Sequence, residues 1–155
     1  MRLSVALLAC LLAMVAATGV WAADLTIRIE GARSTEGVLM IGVYDSVVGF
    51  DRALELYDHP DGFIKDRDRV AGAALRPARG GGSLTFSGLA PGRYAVIVFH
   101  DANTDGRMDK NFLGVPLEGY GFSNEARGFL SPPDFGDAAV EVAEPGATAT
   151  VRLSY

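Results

Sequence analysis

The chain has 155 residues, with 14 basic and 19 acidic side chains and a formal net charge of −5 at pH 7. This length fits one domain of ordinary size with enough chain to bury a core. An acidic chain without basic clusters lacks the electrostatic footprint of proteins that bind nucleic acids or anionic membrane surfaces.

The N-terminus has the pattern of a secretory signal peptide. An arginine follows the initiator methionine and precedes an almost unbroken apolar run to Ala17, as in the charged start and apolar core of such signals. Val20 and Ala22 match a small-x-small cleavage site, so we expect residues 1–22 to be removed and residues 23–155 to form one domain. The run is short for a membrane span, which needs about 20 apolar residues. We therefore expect a periplasmic or secreted protein and no membrane insertion of the mature chain.

Cys10 is the single cysteine. The segment Leu7–Cys10 superficially resembles a lipoprotein cleavage site, but cleavage there would leave an apolar core of only about seven residues, the lower limit for a signal. If Cys10 leaves with the signal, the mature domain has no disulfide and no cysteine metal ligand.

The first half of the mature chain predicts two strands and one helix. Residues 25–29 alternate between apolar and polar, and residues 37–44 are apolar on both faces, so a short polar turn between them predicts a hairpin. Asp51 is predicted to cap a helix over 52–58, because its carboxylate can accept from the free amides of the first turn. Pro60 disfavours helix at His59 and so ends it.

Residues 58–69 are densely charged and predict a solvated surface loop. His59 lies in this loop without a second histidine or cysteine nearby, which predicts a surface residue rather than a metal ligand.

The second half of the mature chain predicts only strands. They lie at 70–75, 84–86, 94–99, 139–142 and 147–155, with the last two predicted to pair. About seven short strands in one domain without a disulfide predict an all-β, antiparallel Greek-key β-sandwich. The pattern Phe86-x-x-Leu89-x-Pro91-Gly92-x-Tyr94-x-Val96 resembles the hairpin of transthyretin-like and Ig-like extracellular sandwiches.

The segment after the fifth strand has the spacing of an EF-hand-like calcium loop. Positions 1, 3, 5 and 9 carry oxygen-bearing side chains, which are Asp101, Asn103, Asp105 and Asp109. Position 6 is Gly106. The carbonyl of Arg107 would supply position 7. Phe112 stands where a bidentate glutamate is expected, so Asp109 directly, or Glu118 folding back, would complete the shell of a calcium ion. No helices are predicted to flank the loop, which is therefore not an EF-hand.

The alternative is a polar hairpin loop whose Asp and Asn side chains bond the local backbone and whose Asp105-Gly106 pair makes the turn. Calcium is the favoured interpretation, because three carboxylates this close repel one another unless a cation or backbone donors compensate them. His100 is predicted to be structural rather than catalytic, since no nucleophile signature accompanies it.

A long aromatic loop follows, over residues 112–135, and loops of this length are usually packed Ω-type loops or binding loops. Tyr120 and Phe122 between glycines are candidates to line a groove for a peptide, carbohydrate or protein ligand. The alternative is that these aromatics anchor the loop to its own sandwich. The further ligand-binding candidates are His100, Phe112 and Asn124.

These segments resemble a family of small secreted bacterial proteins that is catalogued as a domain of unknown function. The resemblance rests on Gly92-x-Tyr94-Ala95-Val96, His100-Asp101-x-Asn103-x-Asp105-Gly106-x-x-Asp109, Asn111-Phe112-x-Gly114-x-Pro116-x-Glu118-Gly119-x-Gly121-Phe122-Ser123-Asn124 and Pro132-Pro133-x-Phe135-x-x-Ala138. It implies a periplasmic or secreted β-sandwich with a signal peptide, and no established activity to carry over. Residues 51–69 match the family least.

The sequence thus predicts a non-enzymatic extracytoplasmic binding or structural module. The segment 101–109, which we name the acidic loop, is predicted to bind calcium and so to rigidify the aromatic loop. The alternative is a metal-dependent hydrolase that uses the acidic loop and His100.

Overall fold

The computed structural model describes residues 22–59 and 61–155, so the predicted signal peptide lies almost entirely outside the described residues. The elements, in chain order, are β1 (Ala23–Ala32), β2 (Val38–Tyr44), α1 (Val47–Leu56), α2 (Gly62–Lys65), β3 (Ala71–Leu75), β4 (Gly80–Leu89), β5 (Gly92–Asp101), β6 (Gly119–Phe122), α3 (Phe135–Ala138), β7 (Val140–Val142) and β8 (Gly146–Arg152). Over the described residues no helix has the length and apolar character needed to cross a membrane.

The strands form two sheets, which confirms the predicted all-β sandwich. The smaller sheet has the order β4-β1-β8, and the larger has the order β3-β2-β5-β6, with β7 paired to the start of β5. The pairing is antiparallel throughout except between β1 and β8, which run parallel. The sandwich is therefore mixed rather than purely antiparallel.

Two predicted strand pairs are wrong. β1 does not form a hairpin with β2, because β1 pairs with β4 and β8 in the other sheet. β7 does not pair with β8 either, since β7 pairs with β5 and β8 with β1. The apolar patterns of β1 and β2 indicate which residues face a core and not which strand lies alongside. One face of β1 is exposed to solvent, because its sheet is covered on one side only. Nearly every residue of β2 is buried, because both faces of its sheet are covered.

The predicted helix begins earlier than expected. The N-cap is Ser46, whose hydroxyl accepts a hydrogen bond from the amide of Gly49 at 3.3 Å, and Asp51 lies inside α1. The following charged segment is also more ordered than a solvated loop. It contains α2, and it buries both Phe63 and Asp66, although His59 is exposed as predicted.

Two apolar cores result. The first lies between the two sheets and includes the inward residues of β1 and β8. The second lies on the outer face of the larger sheet, where α1, α2 and α3 cover side chains such as Ile97, Phe99 and Phe122. This outer layer places the end of α1 against the long loops on either side of β6.

Candidate functional site

The acidic loop begins at Asp101, the last residue of β5, which is only 1% exposed. Its two carboxylate oxygens accept hydrogen bonds from the amides of Asp105 and Gly106, at 3.1 and 2.9 Å. Gly106 has a φ of +80° and Thr104 a φ of +60°, so the chain reverses through two left-handed residues. Asp101 thus organises the loop through its backbone.

The remaining side chains of the acidic loop neutralise one another. The side-chain nitrogen Nδ2 of Asn103 donates to the carboxylate of Asp105 at 3.2 Å and to that of Asp109 at 2.9 Å. The Nε of Arg107 lies between the same two carboxylates, at 3.1 Å from Asp105 and 3.3 Å from Asp109. The guanidinium therefore occupies the place next to these carboxylates that a cation would otherwise take.

Glu118 folds back onto this loop from its far side and is 7% exposed. Its Oε1 accepts from the amide of Ala102 at 2.8 Å, and its Oε2 accepts from the amide of Asp109 at 3.2 Å. Burial raises the pKa of Glu118, the two amide donors lower it, and the charges of Asp101 and Asp109 raise it again. Glu118 ties the two ends of the acidic loop together.

This geometry matches the polar-hairpin alternative. The oxygens that a calcium ion needs are present in Asp101, Asp105, Asp109 and Glu118, but each of these carboxylates accepts from a donor of the chain itself. Among the described residues no group of three or more His, Cys, Asp or Glu side chains is arranged to hold a metal ion. The residue types fit calcium, and in this structure they bond to the chain's own donors, so calcium binding stays a prediction.

His100 lies away from these carboxylates and is almost fully buried. Its Nε2 lies 2.7 Å from the carbonyl oxygen of Glu36 and its Nδ1 lies 2.8 Å from the hydroxyl of Tyr155. Because the carbonyl only accepts, Nε2 carries the proton and Nδ1 accepts from the tyrosine. Both ring nitrogens are engaged, as expected of a structural histidine.

A groove of about 550 Å³ lies beside the acidic loop. Its first wall is the segment 108–116 and its second wall is the segment 125–133. Its floor is formed by Tyr57, Ile97, Gly121 and Phe122, three of which belong to the second core. We call this feature the loop groove. It has the volume of a small-molecule site and a floor that reaches the interior of the domain.

The acidic loop positions the first wall. The amide of Met108 donates to the carbonyl of Tyr57 at the end of α1, at 2.8 Å, and the amide of Leu117 donates to the carbonyl of Asp109 at 2.8 Å. At the tip of the wall, the side-chain oxygen of Asn111 accepts from the amides of Leu113 and Val115. The first wall is therefore held at its base and stiffened at its tip.

Large apolar side chains stand exposed around the mouth of the loop groove. Leu113 and Val115 on the first wall and Leu130 on the second are lining residues that are more than half exposed. Phe112 and Phe129, beside them in the chain, are 95% and 90% exposed. An exposed apolar cluster around a cleft is typical of binding sites, because water covers it at a free-energy cost.

The loop groove contains some of the predicted ligand-binding residues and not others. Tyr120 and Phe122 line it. Phe112 points into solvent at the tip of the first wall, and the side chain of Asn124 instead donates to the carbonyl of Asp137 in α3, at 3.0 Å. His100 lies outside it. Tyr57 was missed, because nothing in its local sequence links it to loops more than 50 residues away.

Comparison with curated proteins found no significant match, and comparison with solved structures likewise found none. One family model matches residues 52–150 and is described as "Uncharacterized protein conserved in bacteria (DUF2141)". This match covers the acidic loop and both walls of the loop groove. It also covers every strand of the larger sheet except β2. The chain therefore belongs to this family of uncharacterized bacterial proteins.

Proposed function

We propose that this protein is a non-enzymatic, extracytoplasmic binding module that holds a ligand with an apolar surface in the loop groove. The observation that carries the proposal is the groove itself, whose floor reaches Ile97 and Phe122 in the second core while Leu113, Val115 and Leu130 stand exposed at its mouth. Burying these side chains against a ligand is favourable by about 25 cal/mol for each Å² of apolar surface removed from water.

The acidic loop supports the groove and lines it only at Met108. Asp101 fixes the backbone at Asp105 and Glu118 fixes it at Asp109, and the first wall starts at Met108, immediately before Asp109. In this proposal a calcium ion held by Asp101, Asn103, Asp105, the Arg107 carbonyl, Asp109 and Glu118 would add rigidity to that wall. The contacts that Arg107 and Asn103 make with Asp105 and Asp109 would have to be given up.

The alternative function, a metal-dependent hydrolase that uses His100, receives no support from the geometry. A general base needs a nitrogen free to take a proton from water or substrate. Both nitrogens of His100 are engaged, by Glu36 and Tyr155, and the ring is buried away from the loop groove.

The test uses Nile red, a neutral apolar dye whose fluorescence rises when it leaves water, with the mature protein. We expect saturable binding that the double substitution Leu113→Ser and Leu130→Ser weakens by about tenfold, because two exposed apolar side chains lose their contact with the dye. The matched control is Val47→Ser with Val48→Ser, which removes exposed apolar side chains from the start of α1, outside the groove. Absence of saturable binding, or an equal effect of the two double variants, would contradict the proposal.

A further inference from the structure

The interior of the loop groove offers apolar contact, and several of its polar groups are already bonded. The hydroxyl of Tyr57 bonds to that of Tyr44. The backbone amide and carbonyl of Tyr120 pair with Ser154 at 2.9 and 2.8 Å. A sugar or a peptide backbone placed against this floor would give up hydrogen bonds to water without replacing them. A hydrocarbon chain has no such bonds to lose.

The charges at the mouth of the groove are unequally compensated. Lys110 pairs with Asp58 at 2.6 Å, and Arg152 pairs with Glu30 at 3.0 Å and lies 3.6 Å from Glu125. Arg127 also lines the groove, and it forms no ion pair with any described residue. Residues 1–21 and position 60 contain no Asp or Glu that could pair with it. Arg127 is thus a basic side chain of the groove without an ion-pair partner among the described residues, in a protein whose net charge is negative.

We infer that the loop groove binds one long-chain carboxylate, such as a free fatty acid, with its hydrocarbon chain over Ile97 and Phe122 and its carboxylate at Arg127. This inference rests on the proposed function and names its ligand class. The volume of about 550 Å³ lies within the range of small-molecule sites. A free ligand is favoured over a bilayer surface because the apolar floor lies among core residues, where only a molecule that leaves the bilayer reaches it.

The experiment is calorimetric titration of the mature protein with octanoate, decanoate and dodecanoate below the concentrations at which they form micelles. Burial of each added methylene should tighten binding about fourfold until the groove is filled. Decan-1-ol, which has the same chain without the charge, should bind about fivefold more weakly than decanoate, the size expected for a solvent-exposed ion pair.

Arg127→Gln should lower the affinity for decanoate about fivefold and leave that for decan-1-ol unchanged. The matched control is Arg28→Gln, which removes the same charge from the exposed face of β1 and should alter neither affinity. Equal losses for decanoate and decan-1-ol in the Arg127 variant would overturn the placement of the carboxylate.

Two further results would overturn the inference. One is the absence of saturable binding of any of the three carboxylates. The other is binding to phosphatidylglycerol vesicles without binding of free decanoate, which would indicate a membrane surface as the partner. If Nile red still binds in the groove in either case, the proposed function stands and only the ligand class is wrong. If Nile red fails as well, the proposed function fails with it.

Discussion

Arg107 allows the two interpretations of the acidic loop to be separated. In Arg107→Gln the contacts of its Nε with Asp105 and Asp109, at 3.1 and 3.3 Å, are lost. All three side chains are about one-third to one-half exposed, so solvent screens these contacts and together they contribute about 1 kcal/mol to the free energy of unfolding. For a domain of this size we expect the melting temperature to fall by about 3 to 5 °C.

Calcium should reverse this loss if the loop binds it. At about 10 mM calcium and a dissociation constant of about 1 mM, bound calcium adds about 1.4 kcal/mol to the free energy of unfolding. The gain should be larger in Arg107→Gln than in the wild type, because the ion no longer competes with the guanidinium. Removing one basic residue from the loop should then increase the calcium response while lowering stability in its absence.

The assay is thermal unfolding by circular dichroism, with and without calcium, at constant ionic strength. Arg28→Gln on the exposed face of β1 is the control and should change neither the melting temperature nor its response to calcium. In about 1 M NaCl the difference between Arg107→Gln and wild type should shrink, because salt screens exposed ion pairs. If calcium leaves both melting temperatures unchanged, the loop is a polar hairpin and the calcium prediction is refuted.

Three other substitutions test how the site is held. Ser123→Ala should lower the free energy of unfolding by about 2 to 4 kcal/mol in a urea titration. The buried hydroxyl donates to the carbonyl of Ala138 in α3 at 2.5 Å and accepts from the amide of Val96 in β5 at 2.8 Å, and both partners would be left unsatisfied. A loss below about 1 kcal/mol would contradict this account. Gly42→Ala should cost about 1 to 3 kcal/mol in the same assay, because the new methyl group would come within 3.0 Å of the hydroxyls of Tyr44 and Tyr57. Burial raises the pKa of Glu118, so the contribution of this side chain to stability is present below the pKa of the unfolded state and is lost as the pH rises through the pKa of the folded state. The stability of wild type relative to Glu118→Gln should therefore fall as the pH rises from about 4. A constant difference would show that this carboxylate does not titrate with folding.

Periodicity in the sequence predicted the orientation of strand residues better than their partners. The double-sided apolar pattern of residues 37–44 correctly indicated a strand covered on both faces, and the alternation of residues 25–29 correctly indicated one with a single buried face. Such a pattern fixes which residues face a core and carries no information about the neighbouring strand. This is why the β1–β2 hairpin and the β7–β8 pair were wrong, and why the parallel pairing of β1 with β8 was not foreseen.

The candidate site was predictable where it is local in the chain. The spacing of acidic residues located the loop after β5, and the missing position-12 glutamate pointed to Glu118, which does reach the loop backbone. The contacts of the Arg107 guanidinium with Asp105 and Asp109 were not predicted, because the sequence pattern pointed only to the Arg107 carbonyl as a calcium ligand. The spacing of acidic residues along the chain predicts the position of each carboxylate in the loop. It does not predict which hydrogen-bond donors or cations each carboxylate contacts.

The loop groove was only half predictable, because it joins segments that are distant in the chain. Tyr120 and Phe122 were recognisable from the glycines around them, whereas Tyr57 and Arg127 reach the groove through the packing of α1 and the path of the second wall. The exposure of Phe112 and Phe129 also depends on the fold, since aromatic residues in a long loop are as often anchors as contact sites.

Backbone NMR during a titration with Nile red tests the central claim most directly, because it locates the bound dye. We predict saturable chemical-shift changes at the floor residues Ile97 and Gly121 and in the walls at 108–116 and 125–133, with little change at the start of α1. Changes confined to the exposed tips, or spread over β1 and β4, would show that the loop groove is not the binding site and would contradict the proposed function.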